Sequence, residues 1–332
     1  MVRQRIAQGE PEAVTAKHEV DYLRLAITDR CNLRCVYCMP EEGVPFKAHE
    51  DILTYEDMVF FVTVAVGTGI SKVRLTGGEP LVRKGFTGLV AQLAAVSGVR
   101  DIALTTNGIL LPRYASSLRE AGLSRVNVSL DTLRADRFEA LTRGGSLAAA
   151  LEGIESALAA GLSPVKVNAV LLPETLEELE AFVALTRTRP LHVRFIELMP
   201  IGGCGPRKEA GSVTRSHVVA LLEERYELEP AESPGGSGPA RYVRIAGHAG
   251  TLGFISSLSE HFCESCNRIR LTADGRLRSC LFSDEEVDAW QVIKARDRSG
   301  VLRVIEESLA RKTFDRRVFA NPTGRTMSQI GG

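Results

Sequence analysis

The sequence predicts an α/β protein organised around a parallel β-sheet, and three observations support this prediction. Six short, mostly apolar segments alternate with helix-like segments between residues 21 and 200. Turn-forming residues, especially glycine, follow several of these segments. The chain has 332 residues, of which 44% are hydrophobic and 25% are charged, which is typical of one large globular domain or two smaller ones. A repeated strand–helix pattern requires parallel strands, because each helix returns the chain to the same end of the sheet.

The predicted elements follow one another in a regular order. The predicted strands are residues 21–28, 72–77, 101–106, 125–131, 164–172 and 192–199. The predicted helices are at about 54–67, 85–96 and 110–121, within 134–160, and at about 175–188. Six strands joined by five crossovers predict a sheet whose strands all run in one direction.

The alternation stops after residue 200. Two segments, "GGCGPRKEAGSVT" and "ESPGGSGPA", predict loops, with a helix at about 214–225 between them. Four later segments, YVRIA, GTLGFIS, RIRLTAD and RLRSCLF, predict short strands. We therefore divide the chain into a flexible extension at 1–20, a main unit at 21–200 and a smaller β-containing region at 201–332. We expect the last two to share one cavity.

Glycines and polar residues gather where the predicted strands end. The segments TGGEP, TTNG, SLD and ELMP follow the second, third, fourth and sixth strands. Each segment alone is also explained by a tight turn, since glycine adopts positive φ without a steric penalty. Parallel strands place ligands at their carboxyl ends, in open sheets and in barrels alike. Together the segments predict a ligand site at this edge of the sheet.

The charge balance excludes several classes of partner. Lysine plus arginine and aspartate plus glutamate number 41 each, so no net field attracts nucleic acid or a membrane surface. No apolar stretch is long enough to span a bilayer. We therefore expect a cytoplasmic protein with no nucleic-acid or membrane partner. Thiols stay reduced in the cytosol, so clustered cysteines there bind a metal or do redox chemistry.

Seven cysteines form two triplets and one outlier. The first triplet is C-x3-C-x2-C at Cys31, Cys35 and Cys38, and the second triplet is C-x2-C-x13-C at Cys263, Cys266 and Cys280. The outlier, Cys204, fits a small apolar filler with no cofactor role. One explanation of a triplet is structural zinc, whose fourth ligand would be His49 or His261. The other is an iron–sulfur cluster, in which three thiolates leave one iron open to bind a small molecule.

The first triplet, with Tyr37 directly before its last cysteine, resembles the signature of radical S-adenosylmethionine (SAM) enzymes. The resemblance implies a partial (β/α)6 TIM-like barrel whose cavity the smaller C-terminal region closes. It implies that this triplet holds a 4Fe–4S cluster whose open iron binds SAM, and that one electron cleaves SAM to a 5′-deoxyadenosyl radical. The SAM contacts that it implies are Tyr37, Gly78, Ser129 and Met199.

Strand alternation points to an anionic ligand. Arg24 and Arg74 each stand between apolar residues, and Arg268 and Arg270 are two apart on one predicted strand. Residues two apart in a strand share a face, so each arginine points away from its apolar neighbours. Arginine forks suit phosphate oxygens. A lumen lined by these side chains implies an anionic guest.

The string C-x2-C-N-R-x-R-L-T-x-D-G-x-L-R-x-C-L, with GTLGFIS and the first triplet, resembles the GTP 3′,8-cyclases of molybdenum cofactor biosynthesis. The resemblance covers about residues 19–332 and implies a second 4Fe–4S cluster on the second triplet. The GTP contacts that it implies are Arg24, Arg74, Thr105, Lys166, Arg268, Ile269 and Arg270. That family inserts a Gly-Gly end into the active site, so the resemblance makes Gly331 and Gly332 catalytic, together with Arg268 and Arg270.

The same resemblance implies a lyase and its partners. The deoxyadenosyl radical removes the hydrogen at C3′ of GTP, the C3′ radical adds to guanine C8, and an electron quenches the product. The implied partners are an electron donor such as flavodoxin or ferredoxin, cyclic pyranopterin monophosphate synthase as the next enzyme, and a second copy in a homodimer. Two alternatives stay open. One is a radical SAM enzyme that modifies a peptide or protein with an auxiliary cluster, and the other is a zinc protein that binds nucleic acid, against which the zero net charge argues.

Overall fold

The computed structural model describes residues 20–201, 213–236, 238–315 and 324–331. The predicted extension at 1–20 lies outside these residues except for its last position, and Cys204 and Gly332 also lie outside them. The described chain forms helices on a large, mostly parallel sheet, which confirms the predicted α/β class. None of its helices combines the length and the apolar character needed to cross a membrane.

The six strands predicted before residue 200 are all present, and their ends differ from the prediction by two residues at most. The strands are β1 (Tyr22–Ala26), β2 (Lys72–Thr76), β3 (Asp101–Thr106), β4 (Arg125–Ser129), β5 (Val165–Leu171), β6 (Leu191–Glu197), β7 (Leu228–Ala231), β8 (Arg241–Ile245), β9 (Thr251–Ile255), β10 (Arg268–Leu271), β11 (Arg276–Arg278) and β12 (Val287–Asp288). The α-helices are α1 (Tyr55–Ala65), α2 (Phe86–Ala94), α3 (Leu111–Glu120), α4 (Ala135–Thr142), α5 (Leu147–Ala159), α6 (Pro173–Glu177), α7 (Leu179–Leu185), α8 (Arg215–Glu223), α9 (Trp290–Lys294), α10 (Arg298–Ala310) and α11 (Met327–Ile330).

These strands form one sheet in the order β12-β11-β10-β1-β2-β3-β4-β5-β6-β9-β8-β7. The strands from β10 to β9 in this order pair in parallel, and antiparallel pairing extends the sheet at both ends. The strands after residue 200 therefore continue the main sheet on both sides instead of forming a sheet of their own. The boundary between the units predicted at 21–200 and 201–332 stays a prediction.

Alternation along the strands separates an apolar face from a polar face. Arg24 pairs in register with Arg270 of β10 on one side and with Arg74 of β2 on the other. Residues next to these arginines, such as Leu23 and Ile269, are completely buried in the core. Burial of each such apolar side chain contributes about 1.5–3 kcal/mol. The apolar residues therefore fix the register, and the register places three arginines side by side on the other face.

The helix predicted at 175–188 is wrong as a single element. The chain forms α6 and α7 instead, separated at Glu178, whose φ of −105° and ψ of 7° lie outside the helical region. The buried Glu178 carboxylate accepts hydrogen bonds from Thr132 Oγ1 and Leu133 N, both at 2.6 Å, and from Arg137. These tertiary contacts with the segment after β4 override the local helical preference.

We predict that Gly153→Ala destabilises the fold. A Cβ at Gly153 in α5 would lie 2.2 Å from the carbonyl oxygen of Gly108, in the loop after β3. Overpacking of this kind costs about 1–3 kcal/mol, and urea denaturation should show that decrease in the free energy of unfolding. The matched control is Gly88→Ala in α2, where a Cβ would meet nothing within 4 Å. Equal losses from both substitutions would contradict the packing described here.

Candidate active site

One cavity runs along the polar face of the sheet, and all six thiols of the two triplets line it. The first triplet lies in the loop after β1, at the carboxyl end of the parallel strands, together with Gly78, Asn107, Ser129 and Met199. The second triplet lies at the opposite end, because Cys266 lies two residues before the start of β10 and β11 returns antiparallel to it. The arginines of the central register lie between the two triplets.

The loop that carries the first triplet is held by the end of α4. The backbone N–H groups of Arg34 and Val36 donate to the carbonyl oxygens of Thr142 and Leu141, both at 3.0 Å. The last carbonyls of a helix have no partner within the helix, so α4 offers acceptors that the loop uses. This docking fixes the backbone on both sides of Cys35.

The aromatic residue of the first triplet is tied to two strands. The Tyr37 hydroxyl donates to Asp131 Oδ2, and Asp131 Oδ1 accepts from Val170 N at 2.8 Å. Asp131 follows β4 and Val170 belongs to β5, so one carboxylate joins the cysteine loop to the sheet. Burial raises the pKa of Asp131, and burial followed by the charge of Asp131 raises the pKa of Tyr37.

Gly78 lies directly against the loop that follows β1. A Cβ at this position would lie 2.2 Å from the carbonyl oxygen of Arg30, so a side chain is excluded. The next residue, Glu79, accepts hydrogen bonds from Thr106 Oγ1 at 2.8 Å and from Asn107 N at 2.7 Å. Burial raises the pKa of Glu79 to about 7. This carboxyl group joins the TGGEP segment to the TTNG segment on the neighbouring strand.

Among the residues that the structure describes, five arginines line the cavity, and we call them the arginine group. They are Arg24, Arg74, Arg194, Arg268 and Arg270. Arg74 Nε donates to the Tyr22 hydroxyl at 2.5 Å, and its Nη1 donates to Thr105 Oγ1 at 3.2 Å. Arg194 donates to Asn168 Oδ1 from Nε at 2.9 Å and from Nη2 at 2.6 Å. These acceptors are neutral oxygen atoms, so the hydrogen bonds orient the two cations without neutralising them.

Burial and crowding make the arginine group electrostatically costly. Burial, followed by the charge of Arg268, lowers the pKa of Arg270 to about 9. Burial is also the main cause that lowers the pKa of Arg194 to about 10. Both loss of water and nearby like charges disfavour a cation. An anion in the cavity relieves both effects, so this wall is suited to a polyanion.

Two family models match the chain. The model described as the Radical SAM superfamily matches residues 25–186, and the model described as Molybdenum Cofactor Synthesis C matches residues 191–317. A protein of Pelotomaculum thermopropionicum named GTP 3′,8-cyclase is 52% identical over 96% of this chain and 99% of its own. A protein of Moorella thermoacetica with the same name is 49% identical over 96% of this chain and 99% of its own.

The chain belongs to the GTP 3′,8-cyclase family.

Solved structures support the fold of this GTP 3′,8-cyclase family member. Streptococcus suis SuiB bound to its precursor peptide SuiA matches with a TM-score of 0.58 and 14% identity, over 84% of this chain and 65% of that one. SuiB bound to S-adenosylmethionine matches with a TM-score of 0.55 and 13% identity. This chain therefore spans 65% of the SuiB chain, and at such identities the likeness concerns the fold alone. With the Radical SAM match, it confirms the predicted radical SAM fold.

Most residues that the radical SAM and cyclase resemblances assign to ligands line the cavity. Those on its wall are Arg24, Tyr37, Arg74, Gly78, Thr105, Ser129, Met199, Arg268 and Arg270. Two are placed elsewhere. The Ile269 side chain is completely buried in the core, so its backbone would have to make any contact with a ligand. Lys166 is not on the cavity wall, and its Nζ donates to the carbonyl oxygen of Gly235 at 2.5 Å.

Gly331, the last residue that the structure describes, contacts the arginine group. Arg270 Nη1 donates to the carbonyl oxygen of Gly331 at 2.7 Å. Gly331 has φ of 82°, and a Cβ there would lie 2.8 Å from Thr76 Cγ2, so only glycine fits. The preceding residue, Ile330, is 1% exposed and packs in a small apolar cluster. Gly332 lies outside the described residues.

Three residues of the site are missing from the sequence interpretation. Arg194 stands between Val193 and Phe195, the same alternating signal that identifies Arg74, so the pattern could have found it. Asn168 is its hydrogen-bond partner, which no sequence pattern indicates. Lys312 also lines the cavity, but it follows α10 in a segment without any motif.

The donor set at each end of the cavity consists of three thiols. His49 and His261, the candidates for a fourth zinc ligand, are exposed and are not on the cavity wall. Across the described ranges, no three or more His, Cys, Asp or Glu side chains converge on the position of a single metal ion. The thiols of a cluster bind separate irons and need not converge on one point. The donor set therefore fits iron–sulfur clusters with three protein ligands.

The two triplets differ in their surroundings. Burial raises the pKa of Cys31 to about 11, and burial is also the main cause that raises the pKa of Cys35. Burial would raise the pKa of Cys266 as well, but the charges of Arg268 and Lys312 lower it to about 7. Bound iron deprotonates a thiol outright, so both triplets suit metal binding, and the second lies in the more positive environment.

We predict that Tyr37→Phe lowers the free energy of unfolding by about 1–3 kcal/mol, because the buried Asp131 carboxylate loses a donor. Tyr114→Phe is the matched control, since the Tyr114 hydroxyl makes no hydrogen bond within the described part of the chain, and we expect a change below about 0.5 kcal/mol. Urea denaturation measures both. A Tyr37→Phe protein as stable as its control would show that the anchor is unimportant.

Proposed function

We propose that this chain converts GTP to (8S)-3′,8-cyclo-7,8-dihydroguanosine 5′-triphosphate, the first step of molybdenum cofactor biosynthesis, with SAM as the radical source. One observation carries the proposal: two thiol triplets and the arginine group line a single cavity. Similarity to proteins named GTP 3′,8-cyclase over nearly the whole chain supports it. By the same similarity we infer a lyase, and we place it in the cytoplasm, where clustered thiols stay reduced.

We infer that each triplet holds one 4Fe–4S cluster. Cys31, Cys35 and Cys38 would hold the first, and Cys263, Cys266 and Cys280 would hold the second. Three thiol ligands leave one iron of each cluster open to a small molecule. When bound, the first cluster and SAM supply the radical chemistry, whereas the chain binds, orients and shields the reactants.

Four residues at the carboxyl end of the strands suit SAM. Gly78 allows close approach of the backbone, since a side chain is excluded there. The Ser129 hydroxyl can both donate and accept a hydrogen bond, as a ribose or carboxylate requires. Tyr37 is held in place by its bond to Asp131, and Met199 lines the same end of the cavity.

The arginine group suits the triphosphate of GTP. Arg24, Arg74 and Arg270 lie side by side on adjacent strands, so their planar forks can bind phosphate oxygens on one surface. Thr105 adds a hydroxyl beside Arg74. Arg268 lies two residues after Cys266 and is the member of the arginine group nearest to it in sequence. This order would hold the nucleotide between SAM and the second cluster.

We infer that the Gly-Gly end completes the active site. The Gly331 carbonyl holds the Arg270 guanidinium at 2.7 Å, so the tail orients a residue that we assign to GTP. The remaining partners rest on the family relationship alone: flavodoxin or ferredoxin as electron donor, cyclic pyranopterin monophosphate synthase as the next enzyme, and a homodimer. A peptide-modifying activity is the second candidate, but it gives no reason for five arginines in the cavity.

The activity is tested with GTP deuterated at C3′. Anaerobic incubation with SAM and a reductant should give 5′-deoxyadenosine that carries the deuterium, together with a cyclised nucleotide, because the radical removes the C3′ hydrogen. GTP deuterated at C2′ is the matched control and should give unlabelled deoxyadenosine. Mass spectrometry measures both. Deoxyadenosine without label from C3′, and without a nucleotide product, would refute the substrate assignment.

We predict that GTP binding takes up about one proton near pH 8. Burial, followed by the charges of Arg194 and Arg125, lowers the pKa of Lys166 to about 6 in the ligand-free protein, so its amine is neutral at that pH. Lys166 lies outside the cavity wall, but a triphosphate bound by Arg194 would offset one of the charges that lower this pKa. The pKa would then rise above the solution pH, and the amine would gain a proton. Calorimetry in buffers of different ionisation enthalpy measures the uptake. It should vanish in Lys166→Met and persist in Lys84→Met, and binding of GTP to the unaltered protein without proton uptake would contradict the prediction.

A further inference from the structure

Lys312 reaches the second triplet from the end of α10. The backbone N–H of Lys312 donates to the carbonyl oxygen of Leu309 at 3.0 Å, which closes the helix. The helix itself is fixed by Val301 and Ile305, which are completely buried. The Lys312 side chain lines the cavity, and its Nζ lies 5.7 Å from the centre of the Phe314 ring. The packed helix α10 therefore positions the Lys312 ammonium at the cavity wall.

The Lys312 ammonium makes three hydrogen bonds that converge on the second triplet. Nζ donates to Cys266 Sγ at 3.4 Å, to the carbonyl oxygen of Arg268 at 2.9 Å and to the carbonyl oxygen of Ser279 at 2.9 Å. An ammonium has three hydrogens, so each hydrogen has one acceptor. Arg268 begins β10, and Ser279 directly precedes Cys280. One side chain thus joins the two segments that carry Cys266 and Cys280.

The Lys312 ammonium contacts two carbonyl oxygens and one sulfur, that of Cys266. No ion pair between Lys312 and a carboxylate occurs among the residues that the structure describes. Carbonyl oxygens orient an ammonium but do not neutralise it. A group that carries negative charge at Cys266 would neutralise it, and an iron–sulfur cluster held by thiolates is such a group.

We propose that Lys312 is a positioning residue of the second cluster, which holds the Cys266 and Cys280 segments together and raises the reduction potential of that cluster. The proposal rests on the second cluster of the proposed function. Reduction adds one negative charge to a cluster, and a hydrogen-bonded cation stabilises the reduced state more than the oxidised one. Loss of the ammonium therefore makes the cluster harder to reduce.

The test is an anaerobic redox titration of the iron-loaded full-length protein, followed by electron paramagnetic resonance. Lys312→Met keeps the length of the side chain and removes its charge, whereas Lys312→Arg keeps the charge. Lys84→Met is the matched control, because Lys84 is exposed and lies outside the cavity wall. A variant in which Cys31, Cys35 and Cys38 are all alanine assigns the signal of the second cluster.

We expect Lys312→Met to lower the ratio of reduced to oxidised second cluster at least about tenfold at a fixed potential, which equals about 59 mV for one electron. Lys312→Arg should recover at least half of this shift, and Lys84→Met should show none. Loss of iron in Lys312→Met from about eight to about four per chain, with recovery in Lys312→Arg, would also support the proposal. If Lys312→Met still binds about eight irons per chain and the reduction potential of its second cluster is unchanged, the proposal is overturned. This holds even if the affinity for GTP falls.

The iron content and the activity of the unaltered protein distinguish failure of the proposed function from failure of the inference about Lys312. If the unaltered protein binds only about four irons, which the triple alanine variant then loses, the second cluster does not exist and this inference falls with it. If the unaltered protein binds about eight irons and cyclises GTP, but the potential ignores Lys312, the proposed function stands and only the role of Lys312 is wrong.

Discussion

The parallel pairing of β10 with β1 is the constraint on which the site depends. These strands are far apart in the sequence, yet they pair in register, with Leu23 opposite Ile269 and Arg24 opposite Arg270. The first triplet follows the end of β1, and Cys266 precedes the start of β10, so the pairing places the two triplets at opposite ends of the same strands. A strand of four or five residues at about 3.3 Å per residue is about 15 Å long. SAM and GTP would meet within this length of the cavity. A slip of one residue would turn Arg270 into the core and Ile269 into the cavity.

The buried positive charge is the second feature of the site that a bound anion explains. Arg74 and Arg194 are oriented by neutral oxygens of Tyr22, Thr105 and Asn168, which hold the guanidinium groups in place without neutralising them. A buried cation without a counter-ion destabilises the ligand-free protein, so binding of an anion recovers this free energy. The acidic groups near the first triplet and the cations near the second further divide the cavity into two electrostatic ends.

The sequence could predict the parts of this site that rest on local pattern. Strand alternation identifies Arg24 and Arg74, and the same signal was present at Arg194. Pattern could not show that β9 and β10 join the main sheet, because strand pairing over such separations depends on tertiary packing. It also could not show the break at Glu178, which a buried carboxylate imposes, or the hydrogen bonds of Lys312, whose three acceptors lie far from it in sequence.

Diffraction at the iron absorption edge from anaerobic crystals of the iron-loaded protein tests the central claim most directly. The account predicts two iron sites per chain, one beside Cys31, Cys35 and Cys38 and one beside Cys263, Cys266 and Cys280, in one cavity and about 15 Å apart. A single iron site, or two sites that are each completed by a fourth side chain, would contradict it.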